Sequence, residues 1–209
     1  MSSGEYRALV TRHPLCCGYL LRVRESASNS LQLAGNILIA HPSLLDPNFH
    51  KSVILLADHS ATAGGFGLIV NRPTGKVVGD LLKESELGHL ARVPVLAGGP
   101  VQTDQLMLVA FRWHPQTHRL ECRHHISLEE AEQLTTAQHH TVRGFIGYSG
   151  WSTGQLEAEI TQRSWLVHKS DQEELLETER APSLWCDLTS TFGPWFKLVA
   201  EAPDDPSTN

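Results

Sequence analysis

The chain has 209 residues, a formal net charge of −6 and a sequence pI of about 6.0, with 41% hydrophobic and 19% charged residues. This length suffices for one substantial core, and the acidic balance disfavours direct DNA binding, because non-specific affinity for nucleic acid comes from Lys and Arg replacing phosphate counterions. No apolar run reaches the roughly 18 residues needed to cross a bilayer, so we expect no membrane association.

Cysteine usage indicates a reduced compartment. Cys16 and Cys17 are adjacent and cannot readily bridge each other, Cys122 and Cys186 are isolated, and no C-x-x-C pair is present. Because structural disulfides belong to oxidising compartments, this pattern predicts a cytoplasmic protein.

Residues 1–30 differ from the rest of the chain. They have Ser-rich ends, scattered arginines and no sustained hydrophobic period. This composition predicts a disordered N-terminal extension, with one α+β domain over residues 31–209.

Three apolar runs at residues 36–40, 52–57 and 66–70 predict short buried strands, because each is rich in Ile, Leu and Val with little polar alternation. The 46–52 loop between the first two carries Asp46, His50 and Ser52. These suit an acid–base–nucleophile set, in which Asp46 orients His50 and His50 activates Ser52. Two alternatives are a ligand contact and a structural lock, in which Asp46 forms an Asx turn and Ser52 closes the loop.

The third run ends in Asn71-Arg72-Pro73. The guanidinium of Arg72 is suited to clamp a carboxylate or phosphate with two hydrogen bonds. The alternative, which we favour, is a salt bridge to Asp46 or Glu157 that pins two loops together.

The middle of the chain predicts a helix over residues 78–90, a glycine turn and a hairpin with strands at 106–111 and 119–122. Gly98-Gly99 predicts a tight turn with close backbone approach. The same amides could face an anion, but no phosphate-loop pattern accompanies them. Ser127 and Glu130 form a capping box that predicts a helix over 128–138.

A strand over residues 142–148 leads into the 148–155 segment. Its sequence begins like a nucleophile elbow but has Trp151 where the second glycine belongs, so we discount a hydrolase serine. Tyr148, Trp151 and Gln155 are suited to line a pocket, although a packed aromatic plug beside a helix capped by Thr153 is the alternative. We expect the 46–52 loop and the 148–155 segment to face one cleft.

The C-terminal part predicts a strand at 164–168, a capping box at 170–173, a last helix at 182–191 stopped by Gly193-Pro194, and a polar tail. The chain has twelve histidines, and those in close pairs are His114 with His118, His124 with His125 and His139 with His140. They lack partner cysteines or acids at ligand spacing, so we expect surface histidines, no metal and no cofactor.

Six stretches in order resemble the bacterial YqgE/AlgH family, among them GNILIAHPSLLDPNFHKSVILLADH, GGFGLIVNRPTG, LAGGPV and GFIGYSGWSTGQLEAEI. The resemblance covers about residues 33–209. It implies one compact α+β domain with a bifurcated, largely antiparallel sheet that curls into a pseudo-barrel flanked by short helices. The chain departs from the family at Phe66, where a small residue is usual, and at His114, which stands later than the histidine often found soon after GGPV.

The resemblance also implies an uncharacterised protein whose AlgH name comes from a proposed role in transcriptional regulation. We therefore expect a regulator acting through a protein partner or a small ligand. The alternative is an enzyme or small-molecule-binding protein using a pocket between the 46–52 loop and the 148–155 segment. We assign no catalytic residue, and the candidate ligand-binding residues are Asp46, His50, Ser52, Asn71, Arg72, Gly98, Gly99, Tyr148, Trp151, Gln155 and Glu157.

Overall fold

The computed structural model describes residues 33–82, 87–170 and 173–202, except for the side chains of residues 173 and 174. The predicted disorder of residues 1–30, the middle of the capping box at 170–173 and the end of the polar tail lie outside the described residues.

One mixed sheet forms the centre of the described chain. Its strands are β1 (Asn36–Ala40), β2 (Val53–Ser60), β3 (Gly64–Ile69), β4 (Pro73–Val77), β5 (Pro94–Ala97), β6 (Val101–His114), β7 (Arg119–His124), β8 (His140–Trp151) and β9 (Trp165–Lys169). The helices are α1 (Val78–Leu81), α2 (Leu128–Thr135), α3 (Gln155–Thr161), α4 (Ala181–Ser190) and α5 (Pro194–Glu201), with 3-10 turns at Gly88–Arg92, Glu173–Leu176 and Thr178–Arg180.

Strand β8 is where the sheet divides. Residues 144–146 of β8 pair in parallel with β5, whereas residues 140–146 pair antiparallel with β6. The last residues of β8, 149–151, pair antiparallel with β3. The order is therefore β4-β5-β8-β3-β2-β1-β9, with β6 and β7 branching from β8. The predicted α+β class and bifurcated, largely antiparallel sheet are confirmed, and the sheet curls without closing into a barrel.

Glycines allow the backbones to meet at this division. The amide of Gly98 donates to the carbonyl of Ile146 (2.8 Å), and its carbonyl accepts from the amide of Ile69 (2.9 Å). A Cβ on Gly98 would lie 2.3 Å from the carbonyl oxygen of Gly147, and Gly147 itself has a φ of +70°. The close approach predicted for Gly98-Gly99 is therefore confirmed, and a side chain at either strand would force the two apart.

The main core lies around β1 and β2. Residues 37–40 are fully buried, as the unbroken apolar run predicted. Helix α4 covers β1 on one side, and the indole of Trp185 donates to the carbonyl of Ala40 (2.8 Å). A second, smaller cluster packs α1 and α2 against β5, β6 and β8.

Several helices and strands differ from those that the local sequence patterns predict. The continuous helix over 78–90 is wrong, since α1 ends at Leu81 and a 3-10 turn occupies Gly88–Arg92. The sequence predicts that Gly193-Pro194 ends the preceding helix but does not predict helix α5. Pro194 is the first residue of α5, a position where proline is favoured. Strand β4 was missed, and β6 extends well beyond residues 106–111.

Helix caps follow the sequence in part. Ser127 Oγ accepts from the Glu130 amide (3.1 Å), as predicted, but the Glu130 carboxylate pairs with Arg123 instead of returning to the cap. Thr153 does not cap α3, because Gly154 stands at that position with a φ of +75°.

One carboxylate ties α3 to two strands. Oε2 of Glu159 accepts from the indole of Trp151 (2.8 Å) and from the indole of Trp165 (2.7 Å). Its Oε1 accepts from the Gln155 amide (2.9 Å), so both oxygens are engaged. Trp151 and Trp165 are almost fully buried, with exposed fractions of 5% and 4%. Their indole N–H groups would therefore be left without water if the carboxylate were removed.

The Gly98→Ala variant should lose about 3 kcal/mol of unfolding free energy, because its methyl group would overlap the Gly147 carbonyl. Gly65→Ala is the matched control, since its Cβ would meet side-chain atoms no nearer than 3.4 Å and should cost about 1 kcal/mol or less. Urea unfolding of both variants measures the difference. Equal losses would contradict the role of Gly98 in the division of the sheet.

The Glu159→Ala variant should lose about 2–4 kcal/mol, since two buried indole donors lose their acceptor. Glu201→Ala removes an exposed carboxylate that lies 3.9 Å from Lys197 and should change stability by at most about 0.5 kcal/mol. Thermal unfolding followed by tryptophan fluorescence compares the two. A Glu159→Ala protein as stable as the control would show that the clamp contributes little.

Candidate functional site

The 46–52 loop is closed by its own hydrogen bonds. Asp46 Oδ1 accepts from the Asn48 amide (2.8 Å), and the Asp46 carbonyl accepts from the amides of Phe49 and His50. His50 Nδ1 lies 3.1 Å from the Leu44 carbonyl oxygen. Ser52 Oγ is fully buried and has no hydrogen-bond partner among the described residues. The acid–base–nucleophile arrangement considered for this loop is therefore not assembled.

Asn71 and Arg72 hold the same loop from the end of β3. Asn71 Oδ1 accepts from the Val53 amide (2.8 Å), and its Nδ2 donates to the Lys51 carbonyl (2.9 Å). Arg72 donates to the carbonyls of Asn48 (2.7 Å) and His50 (3.0 Å). Burial lowers the pKa of Arg72, and the charge of Asp46 partly opposes this. Arg72 thus pins the loop through backbone carbonyls, where a salt bridge was predicted.

Polar side chains of the 148–155 segment are also committed to internal contacts. The side-chain oxygen of Gln155 accepts from the amide and the hydroxyl of Ser152, each at 3.0 Å. Trp151 contributes to the Glu159 clamp described above. Glu157 lies on α3 and its Oε1 is 3.0 Å from Nε2 of His59 on β2, so it reaches β2 and not Arg72.

The two segments do not share a described cavity. Tyr148 lines one cavity, whereas His50, Asn71 and Arg72 line another of about 430 Å³ beside Trp185. The segments are linked through the interior instead. The ring of Phe49 contacts Trp165 (5.5 Å between centroids), and Trp165 contacts Trp151 (6.0 Å). Aromatic packing occupies the space where the sequence suggested an open cleft.

Tyr148 belongs to a cavity of about 380 Å³ between β6, β8 and the β7–α2 connection, which we call the β6–β8 cavity. Most of the residues that line it are apolar, and a few are polar. The described lining residues are Leu82, Gln102, Gln105, Leu106, Met107, Leu108, His125, Ile126, Leu128, Gly147 and Tyr148. None of them carries a carboxylate.

His125, which lines this cavity, is preceded in the sequence by a second histidine, His124. His124 and His125, the histidine pair, have their Nδ1 atoms 2.7 Å apart. Nε2 of His124 lies 2.6 Å from Oδ2 of Asp58 on β2. Asp58, His124 and His125 therefore form a continuous hydrogen-bonded chain that ends at a residue lining the cavity.

The backbone explains why these distant residues meet. A bulge between Leu56 and Asp58 interrupts the pairing of β2 with β3 and places Asp58 opposite Phe66. His125 follows β7 with a φ of +57°, which turns the chain from the strand toward α2. Phe66 packs against His124 (4.6 Å) and Tyr148 (5.0 Å), so its large ring supports this corner.

The histidine pair lies at the surface, as the sequence predicted, and what sequence reasoning missed is its acidic partner. Asp58 lies 66 positions away in the sequence, and only the curl of the sheet brings β7 beside β2. Cys122 also lies on β7. Its pKa is raised to about 12, mainly by burial and in smaller part by the negative charge of Asp58.

Neither a metal centre nor a membrane span is found in the part of the chain that the structure describes. Within it, no group of three or more His, Cys, Asp or Glu side chains could hold a metal ion. No described helix is long and apolar enough to cross a bilayer.

Curated relatives match this chain over most of its length. A UPF0301 protein of Streptomyces coelicolor is 34% identical over 191 residues, covering 85% of this chain and 95% of the relative. A UPF0301 protein of Pseudoalteromonas translucida is 36% identical over 162 residues, covering 70% of this chain and 84% of the relative.

Solved structures share the fold. The solution structure of the AlgH protein from Pseudomonas aeruginosa matches with a TM-score of 0.58 and 25% identity, covering 87% of this chain and all of that one. The crystal structure of protein DIP2367 from Corynebacterium diphtheriae matches with a TM-score of 0.61 and 22% identity, covering 81% and 92%, and shows the fold alone. The AlgH-like family model, DUF179, matches residues 37–197. This chain therefore belongs to the AlgH-like family of uncharacterised bacterial proteins.

Proposed function

We propose that this protein is a cytoplasmic regulator that acts by binding a small molecule in the β6–β8 cavity. The observation that carries the proposal is the cavity itself. Its walls are mostly apolar, and the hydrogen bonds that join Asp58, His124 and His125 end at His125, which lines it. Small-molecule sites combine these features, since apolar walls supply affinity and a few polar groups fix orientation.

The residues predicted as ligand contacts favour this cavity over the 46–52 loop. Asp46, Asn71 and Arg72 satisfy backbone groups of the loop, so a ligand would have to replace those bonds. The polar side chains of the β6–β8 cavity, Gln102, Gln105 and Tyr148, have no hydrogen bond to another described residue through their side chains. They can therefore bond a ligand without first breaking the fold.

Regulation by this protein would be indirect. The net charge of −6 opposes direct contact with DNA, so the transcription-related role that the family resemblance implies would pass through the bound ligand or a partner. A second candidate, regulation through a protein partner, is favoured by helix α5, where Trp195 and Leu198 are 56% and 70% exposed. Capture of one defined protein that is lost in a Trp195→Ala, Leu198→Ala double variant would support it.

The Leu106→Trp variant should weaken binding of 8-anilinonaphthalene-1-sulfonate at least about tenfold, because the larger side chain fills the β6–β8 cavity. The dye has an apolar body and fluoresces when it is removed from water. Fluorescence titration gives the dissociation constant. The Leu45→Trp variant is the matched control, since Leu45 is 80% exposed and lies outside the cavity lining, and its affinity should equal that of the unmodified protein.

Native mass spectrometry of protein purified from its own host then identifies a natural ligand. A co-purifying compound that is lost in the Leu106→Trp variant would support the proposal. Failure of the dye to bind the folded protein, or equal binding by both variants, would contradict it. Affinity for duplex DNA that falls steeply with salt would favour direct DNA binding instead.

A further inference from the structure

We infer that the histidine pair makes the β6–β8 cavity a proton-coupled site for a carboxylate that carries an apolar body. The inference rests on the proposed function and adds to it the class of ligand and the group that receives it. It is carried by the distances along Asp58, His124 and His125 and by the position of His125 in the cavity wall.

The hydrogen-bond pattern fixes the neutral pair in one arrangement. A carboxylate only accepts, so Nε2 of His124 donates to Asp58 and Nδ1 of His124 carries no proton. The bond between the two Nδ1 atoms must then be donated by His125. This leaves Nε2 of His125 without a proton, as an acceptor.

Adding one proton reverses the end of the chain without breaking it. The free acceptor, Nε2 of His125, takes the proton, while Nδ1 of His125 still donates to His124 and Nε2 of His124 still donates to Asp58. The same two hydrogen bonds therefore serve both states, and only Nε2 of His125, a residue that lines the cavity, changes from acceptor to donor.

The surroundings are compatible with uptake of this proton. Asp58, from β2, offsets the positive charge, and both it and the pair lie where water can deliver protons. Cys122 on β7 stays a neutral thiol because its pKa is about 12. Arg123 is paired with Glu130 of α2, and Tyr148 of β8 lines the same cavity.

A carboxylate is the ligand end that this arrangement favours. It accepts hydrogen bonds and carries a negative charge, so it binds the protonated pair and not the neutral one. The side chains of Gln102, Gln105 and Tyr148 can donate further bonds, and none of the described lining residues is a carboxylate that would repel the ligand. Leucine, isoleucine and methionine walls match an acyl or aryl body.

Octanoate is the probe. Isothermal titration calorimetry in phosphate and in Tris buffer, both near neutral pH, measures the number of protons that the complex takes up when octanoate binds. We expect uptake of a fraction of a proton, up to one, for each octanoate bound, seen as a difference in enthalpy between the two buffers. Octanamide, a neutral isostere, should bind at least about tenfold more weakly than octanoate at neutral pH.

Variants assign the proton to the pair. His125→Asn suits the left-handed backbone at that position and should abolish both the proton uptake and the preference for octanoate. Asp58→Asn, which changes a positioning residue, should reduce proton uptake. His118→Asn is the matched control, since His118 also has a positive φ (48°) but lies outside this cavity, and it should leave both unchanged.

The outcomes separate this inference from the proposed function. If the dye binds in the cavity but octanoate does not, or octanoate binds without proton uptake, the inference is overturned and the cavity remains a ligand site. Persistence of the uptake in the His125→Asn variant also overturns it. If neither dye nor octanoate binds, the proposed function falls with it. Should His125→Asn fail to fold, the buffer comparison on the unmodified protein still decides.

Discussion

The backbone contact between Gly98 and Gly147 is the constraint on which the arrangement of this protein depends. Because neither residue has a Cβ, the end of β5 can bond to both β3 and β8 where the sheet divides. The division lets one strand, β8, take part in both halves of the sheet. One half buries β1 and β2 under α4, and the other carries the β6–β7 hairpin and the cavity beside it.

Residues with catalytic character serve mainly to hold this arrangement. Asp46, Asn71 and Arg72 satisfy the backbone of the 46–52 loop, and Glu159 satisfies two buried indoles. A loop between buried strands has amides and carbonyls that must find partners, and polar side chains supply them. The Asp of such a loop is therefore explained by hydrogen bonding before any chemistry is invoked, whereas the buried Ser52 Oγ has no hydrogen-bond partner among the described residues.

The β6–β8 cavity differs because its polar groups are not consumed by the fold. The bulge in β2, the turn at His125 and the ring of Phe66 together bring the histidine pair to its rim. Each of these three features is local, yet the chain from Asp58 to His125 exists only because the curl of the sheet brings Asp58 of β2 within hydrogen-bond distance of His124 of β7. The hydrogen-bonded chain and the curl of the sheet are thus coupled.

The sequence by itself determined the class of fold, the buried strand β1, the cap at Ser127 and the tight glycine contact, since each depends on neighbouring residues or on burial of an apolar run. It did not determine β4, α5 or the ends of the helix predicted at 78–90, where turn residues allow more than one outcome. Only the tertiary structure decided that the 46–52 loop and the 148–155 segment are separated by packed aromatic rings. It alone joined Asp58 to His124, because a contact across 66 residues depends on how the strands are ordered in the sheet, which no local pattern records.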